Sequence, residues 1–269
     1  MIQDNNLDAT VIKEEISAQR FADLLLDMGT YMLASGAHCG RLASNLTRLA
    51  IVWKFEIDLN PSFRGLQVTV KDIDNPTNAI TRYKSSPSHN VHLAVLTDVS
   101  HLSWRVWDEK LSIDIVEKEF AEIKKKSSYK DPIIALAVGI SCAGLCFFSL
   151  GDIYNALIVF LGASIGFLIK SRIAKMKFNP MISIAIAAFV TTLISGLGNI
   201  YNIGAHPEAA MATAVLYLIP GVPLINTVID LIEGYLSSAM NRALFSGFIL
   251  LCIATGMTLC ITLLGIDNF

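Results

Sequence analysis

The sequence predicts an α-helical membrane protein, with five transmembrane helices, one of them broken, after an N-terminal cytoplasmic domain of mixed α/β structure. Hydrophobic residues make up 53% of the 269 residues and charged residues only 16%, whereas charged residues are about a quarter of a typical soluble domain. Most of the charge lies before Pro132, and the chain is mostly apolar after it. We therefore expect a soluble domain over residues 1–131 and a membrane domain over residues 132–269.

The start of the chain indicates where the soluble domain is expected to lie. Its first residues, MIQDNNLDATVIKEEIS, are polar and acidic, without the basic start and apolar core of a secretory signal peptide. We therefore expect this domain to stay in the cytoplasm. The formal net charge of −2 argues against a nucleic-acid partner.

Helix and strand patterns alternate within the soluble domain. Apolar side chains recur at three- and four-residue spacing from Phe21 to Met32, which predicts a helix with one buried face. Gly36 suits the C-terminal cap of that helix, and a second helix is expected over residues 39–52. Three strands and two further helices are expected to follow, at residues 54–59, 66–73, 79–83, 92–107 and 112–125.

Five apolar runs follow Pro132, each close to the roughly 20 residues that a transmembrane helix needs. They cover residues 133–150, 153–169, 181–200, 209–229 and 244–266. When five helices are threaded alternately, every loop that contains Lys or Arg falls on one side, which the positive-inside rule assigns to the cytoplasm. The C-terminus is then expected outside, in a multi-pass protein of the bacterial inner membrane.

The fourth run is interrupted at its centre by Pro220-Gly221-Val222-Pro223. Neither proline has an N–H to donate, and glycine tolerates conformations that other residues resist. We therefore expect a broken helix near the middle of the membrane, where non-helical backbone must be covered by protein or line a watery cavity. A simple kink that contacts no ligand is the alternative.

The two helix ends at this break are expected to carry opposite partial charges. Carbonyls of residues 216–219 would be free, as would amides of residues 224–226 if the second half begins at Pro223. Carbonyls suit an ammonium group and amides a carboxylate, so the pair fits a zwitterionic amino acid, while a dicarboxylate would use mainly the amide end. The candidate substrate-binding residues are Pro220, Gly221, Pro223, Asn226, Tyr217, Ser141 and Thr213.

Two acidic residues follow the break on one helix face. Asn226, Asp230 and Glu233 are spaced four and three apart. Because acidic groups beside a membrane cavity are candidates for proton transfer, we assign Asp230 and Glu233 to proton coupling. The alternative is that both carboxylates simply lie in headgroup water.

No cofactor or metal site is expected from the sequence. His89, His92 and His101, with Asp98, do not form a convincing ligand set, because His92 and His101 would point to opposite faces of a helix. We interpret them as surface or interface residues. The chain also has no phosphate-binding glycine loop and no serine nucleophile motif, so we do not expect an enzyme.

Several of these segments resemble one known family. The stretch PGVPLIN, which ends at Asn226, is followed by Asp230 and Gly234 and resembles the signature of the threonine/serine exporter family of ThrE type. Ser141-Cys142-Ala143 in the first apolar run and the Gly36-Ala37 turn in the soluble domain also resemble that family. The resemblance covers nearly the whole chain and is closest to the longer subunit of the split, two-subunit form.

The resemblance implies export across the bacterial inner membrane, of threonine and serine in some members and of succinate in the split pair. It implies that the proton motive force, rather than ATP, drives export, and that a short membrane subunit is the partner; self-association is the alternative. Family members commonly carry acidic residues where Ser44 and Asn45 stand in this chain. A role for those acids is therefore not expected here.

These observations together predict a subunit of a secondary transporter that exports small carboxylate-bearing metabolites. Threonine and serine come first as substrates, because the five apolar runs contain no Lys or Arg that could bind a second carboxylate. Succinate or a similar dicarboxylate comes second, since a partner subunit could supply such a group. A membrane-anchored regulatory or sensory protein is the alternative from another class.

Overall fold

The computed structural model describes residues 16–74, 79–87, 91–126, 129–176 and 179–266. The chain packs as two compact units, which are described separately: the first contains residues 1–128 and 222–243, and the second contains residues 129–221 and 244–269. The first segment ends close to the domain boundary drawn from the sequence. The segment Val222–Ala243, which lies within residues 132–269 of the sequence, packs with the first unit.

In the described part of residues 1–128, the first unit contains four helices and a three-stranded sheet in the order that the sequence predicts. They are α1 (Ala18–Ala34), α2 (Cys39–Val52), β1 (Phe55–Ser62), β2 (Gly65–Asp72), β3 (Ala79–Ser85), α3 (Leu93–Glu109) and α4 (Ile113–Lys124). The sheet is antiparallel with β2 in the centre. Strand β2 presents alternate side chains to the core, since Leu66, Val68 and Val70 are all fully buried.

The core of the first unit lies between α1 and the sheet. The ring of Phe21 stacks on Phe55 at 4.7 Å between centroids and meets Trp53 edge-on at 5.4 Å. Leu25 and Met28, one turn and two turns further along the same helix face, are also fully buried. The three- and four-residue spacing of these side chains therefore gives α1 one buried apolar face, as predicted.

The second unit is built from apolar helices. They are α5 (Asp131–Phe148), α6 (Ile153–Lys175), α7 (Pro180–Ile200), α8 (Pro207–Ala214) followed by a 3₁₀ turn (Leu216–Leu218), and the larger part of α10 (Leu236–Leu264), while α9 (Gly221–Ile232) lies almost entirely in the first unit. Four described helices, α5, α6, α7 and α10, are long and apolar enough to cross a membrane. The pair Pro207–Leu218 and Gly221–Ile232 passes the same test together and is bent at the break, so it makes a fifth span if it crosses as one.

The first residues of the two helices after the break differ from the prediction. Helix α9 begins at Gly221 rather than Pro223, and α10 begins at Leu236 rather than at residue 244. Arg242, which the sequence placed in a loop, therefore lies inside α10. The reason is that the connection between α9 and α10 is short: Gly234 at φ 87° allows the chain to reverse there, with the Tyr235 N–H donating to the Asp230 carbonyl at 2.8 Å.

Small residues allow the helices of the second unit to approach closely. Ser164 on α6 donates a hydrogen bond to the Ala135 carbonyl of α5 at 3.1 Å, next to Gly139, where a Cβ atom would meet the Phe160 carbonyl at 2.9 Å. Half of the residues in the most apolar stretch of α7 are buried, whereas 22% are buried in the corresponding stretches of α5 and α10. Helix α7 is therefore the central helix of this unit.

Candidate functional site

The first element of the site is the tight turn between α1 and α2, residues 36–40. Helix α1 ends in a Schellman motif, in which the N–H groups of Gly36 and Ala37 donate to carbonyls of the preceding turn. Gly36 has φ 98°, the left-handed conformation that favours glycine. Because α2 begins at Cys39, directly after this motif, the turn presents helix-end carbonyls and helix-start amides side by side.

Asp230 of α9 binds the start of α2. Its carboxylate is fully buried, Oδ1 accepts a hydrogen bond from the Cys39 N–H at 2.7 Å, and Oδ2 lies 2.9 Å from Nε of Arg242. The Nε–H is not aligned with Oδ2, so this contact is an ion pair without a conventional hydrogen bond. Removal of one member of a buried pair leaves an uncompensated charge, which typically costs about 3–5 kcal/mol.

Glu233 binds the same turn from a more exposed position. Its Oε2 accepts a hydrogen bond from the Gly40 N–H at 3.0 Å and lies 3.2 Å from Nδ1 of His38. The same Nδ1 lies 3.2 Å from the Arg41 N–H, which it caps. Nδ1 accepts from Arg41 when it is unprotonated or donates to Glu233 when it is protonated, but it cannot do both.

Two further side chains bind the carbonyls of the turn. Asn226 Nδ2 donates to the Gly36 carbonyl, and Arg242 Nη2 donates to the Ala37 carbonyl, both at 2.8 Å. The thiol of Cys39 contacts the Ser238 hydroxyl at 3.2 Å, and burial raises the pKa of this thiol to about 11. We call this group the turn cluster: residues 36–40 with Asn226, Asp230, Glu233, Ser238 and Arg242.

Among the described residues, His38, Asp230 and Glu233 are close enough to be tested as a metal site, since one ligand atom of each lies within 4.8 Å of the others. The surroundings do not favour a cation. Backbone N–H groups already donate to Asp230, to Glu233 and to the ring nitrogen, and the Arg242 guanidinium lies against Asp230. Donors and a positive charge of this kind stabilise carboxylates and repel a metal ion.

His92 and Asp98, which the sequence analysis weighed as parts of one metal site, have separate partners in the described chain. His92 caps the start of α3 by accepting from the Val95 N–H at 3.4 Å, and Asp98 forms an ion pair with Lys126 at 2.5 Å. His89 lies outside the described residues. The interpretation of His92 and Asp98 as surface or interface residues agrees with these contacts.

In the second unit, Tyr217 lies just before the break and reaches between α6 and α7. Its hydroxyl is 3.0 Å from Thr191 Oγ1, which also bonds to the Gly162 carbonyl at 3.3 Å. Gly166 leaves the space for both hydroxyls, because a Cβ atom there would clash with each of them. The Gly162–Gly166 pair thus provides room for a polar contact inside the second unit.

Among the described residues, no hydrogen bond joins the candidates Thr213 and Ser141 to Tyr217. The Thr213 hydroxyl donates to the Ala209 carbonyl of its own helix at 2.7 Å. Ser141 is exposed on α5, and its hydroxyl donates within that helix to the Ala137 carbonyl at 2.8 Å. Each hydroxyl therefore donates its hydrogen bond to a carbonyl of its own helix.

The backbone at the break differs in detail from the prediction. The carbonyls of Leu216 and Ile219, expected to be free, accept from Ile219 and Gly221 at 3.1 Å and 2.9 Å. Pro220 follows Ile219, which is in an extended conformation. Because α9 begins at Gly221, Pro223 lies within its first turn, and the amides of residues 224–226 take part in the helix instead of being free at its start.

Sequence reasoning missed Arg242 as a member of the cluster. Two helices joined by a short turn such as the one at Gly234 face each other. A lone arginine shortly after that turn was therefore the available signal for a partner of Asp230. Thr191, the partner of Tyr217, gave no such signal. A threonine within an apolar helix is compatible with many packing environments.

Comparison with known proteins places these features in a family. Residues 23–264 match the family model ThrE, described as "Putative threonine/serine exporter". The chain is 30% identical over 249 residues to a "Probable succinate transporter subunit YjjP" of Klebsiella aerogenes, and 28% identical over 250 residues to the protein of that name in Escherichia coli K12. Each alignment covers 91% of this chain and 95% of the relative. No solved structure matches the chain significantly.

The matched residues include both the turn cluster and the apolar helices of the second unit. The family resemblance predicted from PGVPLIN and the Gly36-Ala37 turn is thereby confirmed. The helices and the relatives together make the chain a multi-pass membrane protein of a transport system. This protein belongs to the threonine/serine exporter family.

Proposed function

We propose that this chain is the larger subunit of a two-subunit exporter of small carboxylate-bearing metabolites, with a four-carbon dicarboxylate such as succinate as the first candidate. The supporting observation is the similarity over 95% of the length of two relatives that are named succinate transporter subunits. This reverses the order of substrates predicted from the sequence. The absence of Lys and Arg from the apolar runs concerns only this subunit, and a partner could supply the missing positive charge.

Threonine and serine are the second candidates. The description of the matched family favours them, as does the composition of the five apolar runs, which offer hydroxyl and amide groups but no basic side chain. A zwitterion needs only one anion-binding and one cation-binding group. The two candidates therefore differ in whether this subunit alone can match the charges of the substrate.

We propose Tyr217, Pro220 and Gly221 as substrate contacts in the second unit. Tyr217 brings a polar group between α6 and α7, and Pro220-Gly221 interrupts the helical backbone beside it. Asn226 has the weaker case, because its side-chain amide already donates to the Gly36 carbonyl. Pro223, Thr213 and Ser141 remain candidates on sequence grounds only.

We propose that export is coupled to protons through Glu233 and His38 rather than through Asp230. The side chains of Glu233 and His38 are 34% and 25% exposed and lie 3.2 Å apart, so they can exchange protons with water. Asp230 is fully buried. Its two oxygens lie against the Cys39 N–H and the Arg242 guanidinium.

The test is uptake by proteoliposomes that contain this chain together with the short membrane subunit. Labelled succinate, threonine and serine are compared, each with and without an imposed pH gradient. We expect succinate to exchange, to accumulate only with the gradient, and to require the partner. Movement of threonine or serine but not succinate would favour the second candidate, and no flux of any of the three would contradict the exporter function and favour a regulatory protein.

A further inference from the structure

The helix that follows the break is attached to the N-terminal part of the chain by one face. Asn226, Asp230 and Glu233 of α9 are spaced four and three apart, and all three reach the turn at residues 36–40. The start of α10 adds Arg242, which reaches the same turn. These contacts explain why the segment Val222–Ala243 packs in the first unit.

The contacts match donors to acceptors in order along the turn. The carbonyls of Gly36 and Ala37 receive side-chain N–H groups, and the amides of Cys39 and Gly40 donate to side-chain carboxylates. A displacement of α9 by one turn that moves Asp230 to the position of Asn226 would place its carboxylate against the Gly36 carbonyl. The pattern therefore specifies one register of α9 on the turn, as a simple apolar contact would not.

Arg242 connects three elements at once. Its Nη2 donates to the Ala37 carbonyl, and its Nε lies against Asp230, while Arg242 itself belongs to α10. Arg242 and Asp230 are 2% and 0% exposed. If Arg242 is lost, Asp230 is left as a buried charge without its cation, which favours separation of α9 from the turn.

We propose that Arg242 and Asp230 are positioning residues of the exporter, through which the N-terminal domain holds the helix that directly follows the break. Neither side chain is assigned to bind substrate or to carry a proton. The N-terminal domain thereby acts on transport by fixing α9. This role rests on the proposed export function, but the attachment itself can be measured without any transport assay.

The reactivity of the Cys39 thiol measures this attachment. Its thiol is fully buried under Ser238, and burial raises its pKa to about 11, so N-ethylmaleimide should react slowly with it at pH 8. Separation of α9 and α10 from the turn would expose the thiol and speed the reaction. Labelling of Cys39 is followed by peptide mass spectrometry, which separates it from the other cysteines.

Three variants are compared in the full complex: Arg242→Met, Asp230→Asn, and the double variant. We expect Arg242→Met to label Cys39 at least about tenfold faster than the wild type, because labelling follows the population of the opened state, and to lose most export. The double variant has no buried unpaired charge, so we expect it to regain slow labelling and export. Arg105→Met is the control, because Arg105 pairs with Glu109 and Glu119 on the surface.

The outcomes are distinct. Slow labelling of Cys39 and normal export in Arg242→Met would overturn the proposal. A double variant that labels slowly but does not export would also overturn it, since the Asp230 charge would then serve the transport cycle directly. If labelling behaves as expected while even the wild type moves no substrate, the attachment holds and the proposed export function fails.

Discussion

At the scale of single residues, Gly36 determines the shape of the turn between α1 and α2. Its φ of 98° is a conformation that other L-residues adopt at a cost of about 1–2 kcal/mol, and an added Cβ atom would lie 3.3 Å from Val222 Cγ1. We expect Gly36→Ala to destabilise the first unit by about that amount and to lower the midpoint of thermal unfolding in detergent. Gly247→Ala, where the added Cβ meets nothing within 4 Å, should leave the midpoint unchanged; an equal fall in both variants would contradict this role of Gly36.

Gly36 and Asp230 differ in how far the sequence around them predicts their roles. Gly36 was predictable as a helix cap, because a cap depends on a few neighbouring residues. The role of Asp230 was not, because its partners are Cys39, far away in sequence, and Arg242, which seemed to lie in a loop. Spacing placed Asn226, Asp230 and Glu233 correctly on one face, but that spacing fits a cavity, headgroup water or a protein surface equally well.

At the scale of helices, α6 and α7 hold the segment before the break through the space that Gly166 leaves. A methyl group at Gly166 would clash with the hydroxyls of Thr191 and Tyr217. Overpacking of this kind costs about 1–3 kcal/mol, so we expect Gly166→Ala to slow export by about tenfold. Initial efflux rates from preloaded cells, normalised to the amount of protein in the membrane, would measure this. Gly144→Ala on α5 is the matched control, since an added Cβ there meets nothing within 4 Å; equal rates in both variants would remove Tyr217 from the substrate path.

Whole elements were more predictable than their associations. The apolar period of α1 and the first three apolar runs are local patterns, and each led to an element that the structure contains. The position of the break was equally local, because proline and glycine act on their own backbone. The assignment of α9 to the first unit depends instead on polar contacts with a turn about 190 residues earlier, which no local pattern contains.

At the scale of the whole molecule, the packing of the segment Val222–Ala243 bears on the number of membrane crossings. This segment packs with residues 1–128, so we expect both to lie on the same side of the membrane. Three crossings by α5, α6 and α7 would bring residues 201–206 to the opposite side. We therefore predict that the chain crosses back within the broken pair, which would then be a span rather than a re-entrant loop.

The same crossings determine the expected position of the C-terminus. With the broken pair as a span, α10 is the fifth crossing, and the C-terminus lies opposite the N-terminal domain, which the Lys and Arg distribution assigns to the cytoplasm. We expect an alkaline phosphatase fused to the C-terminus to be active, and a green fluorescent protein at the same point to be dark, because the first matures only outside the cytoplasm and the second only inside. Insertion of the same two reporters at residues 201–206 should give the same result, whereas fusions at the N-terminus should give the opposite one. If the C-terminal fusion fluoresces while the reporter at residues 201–206 stays dark, the pair does not cross, and the chain has four spans.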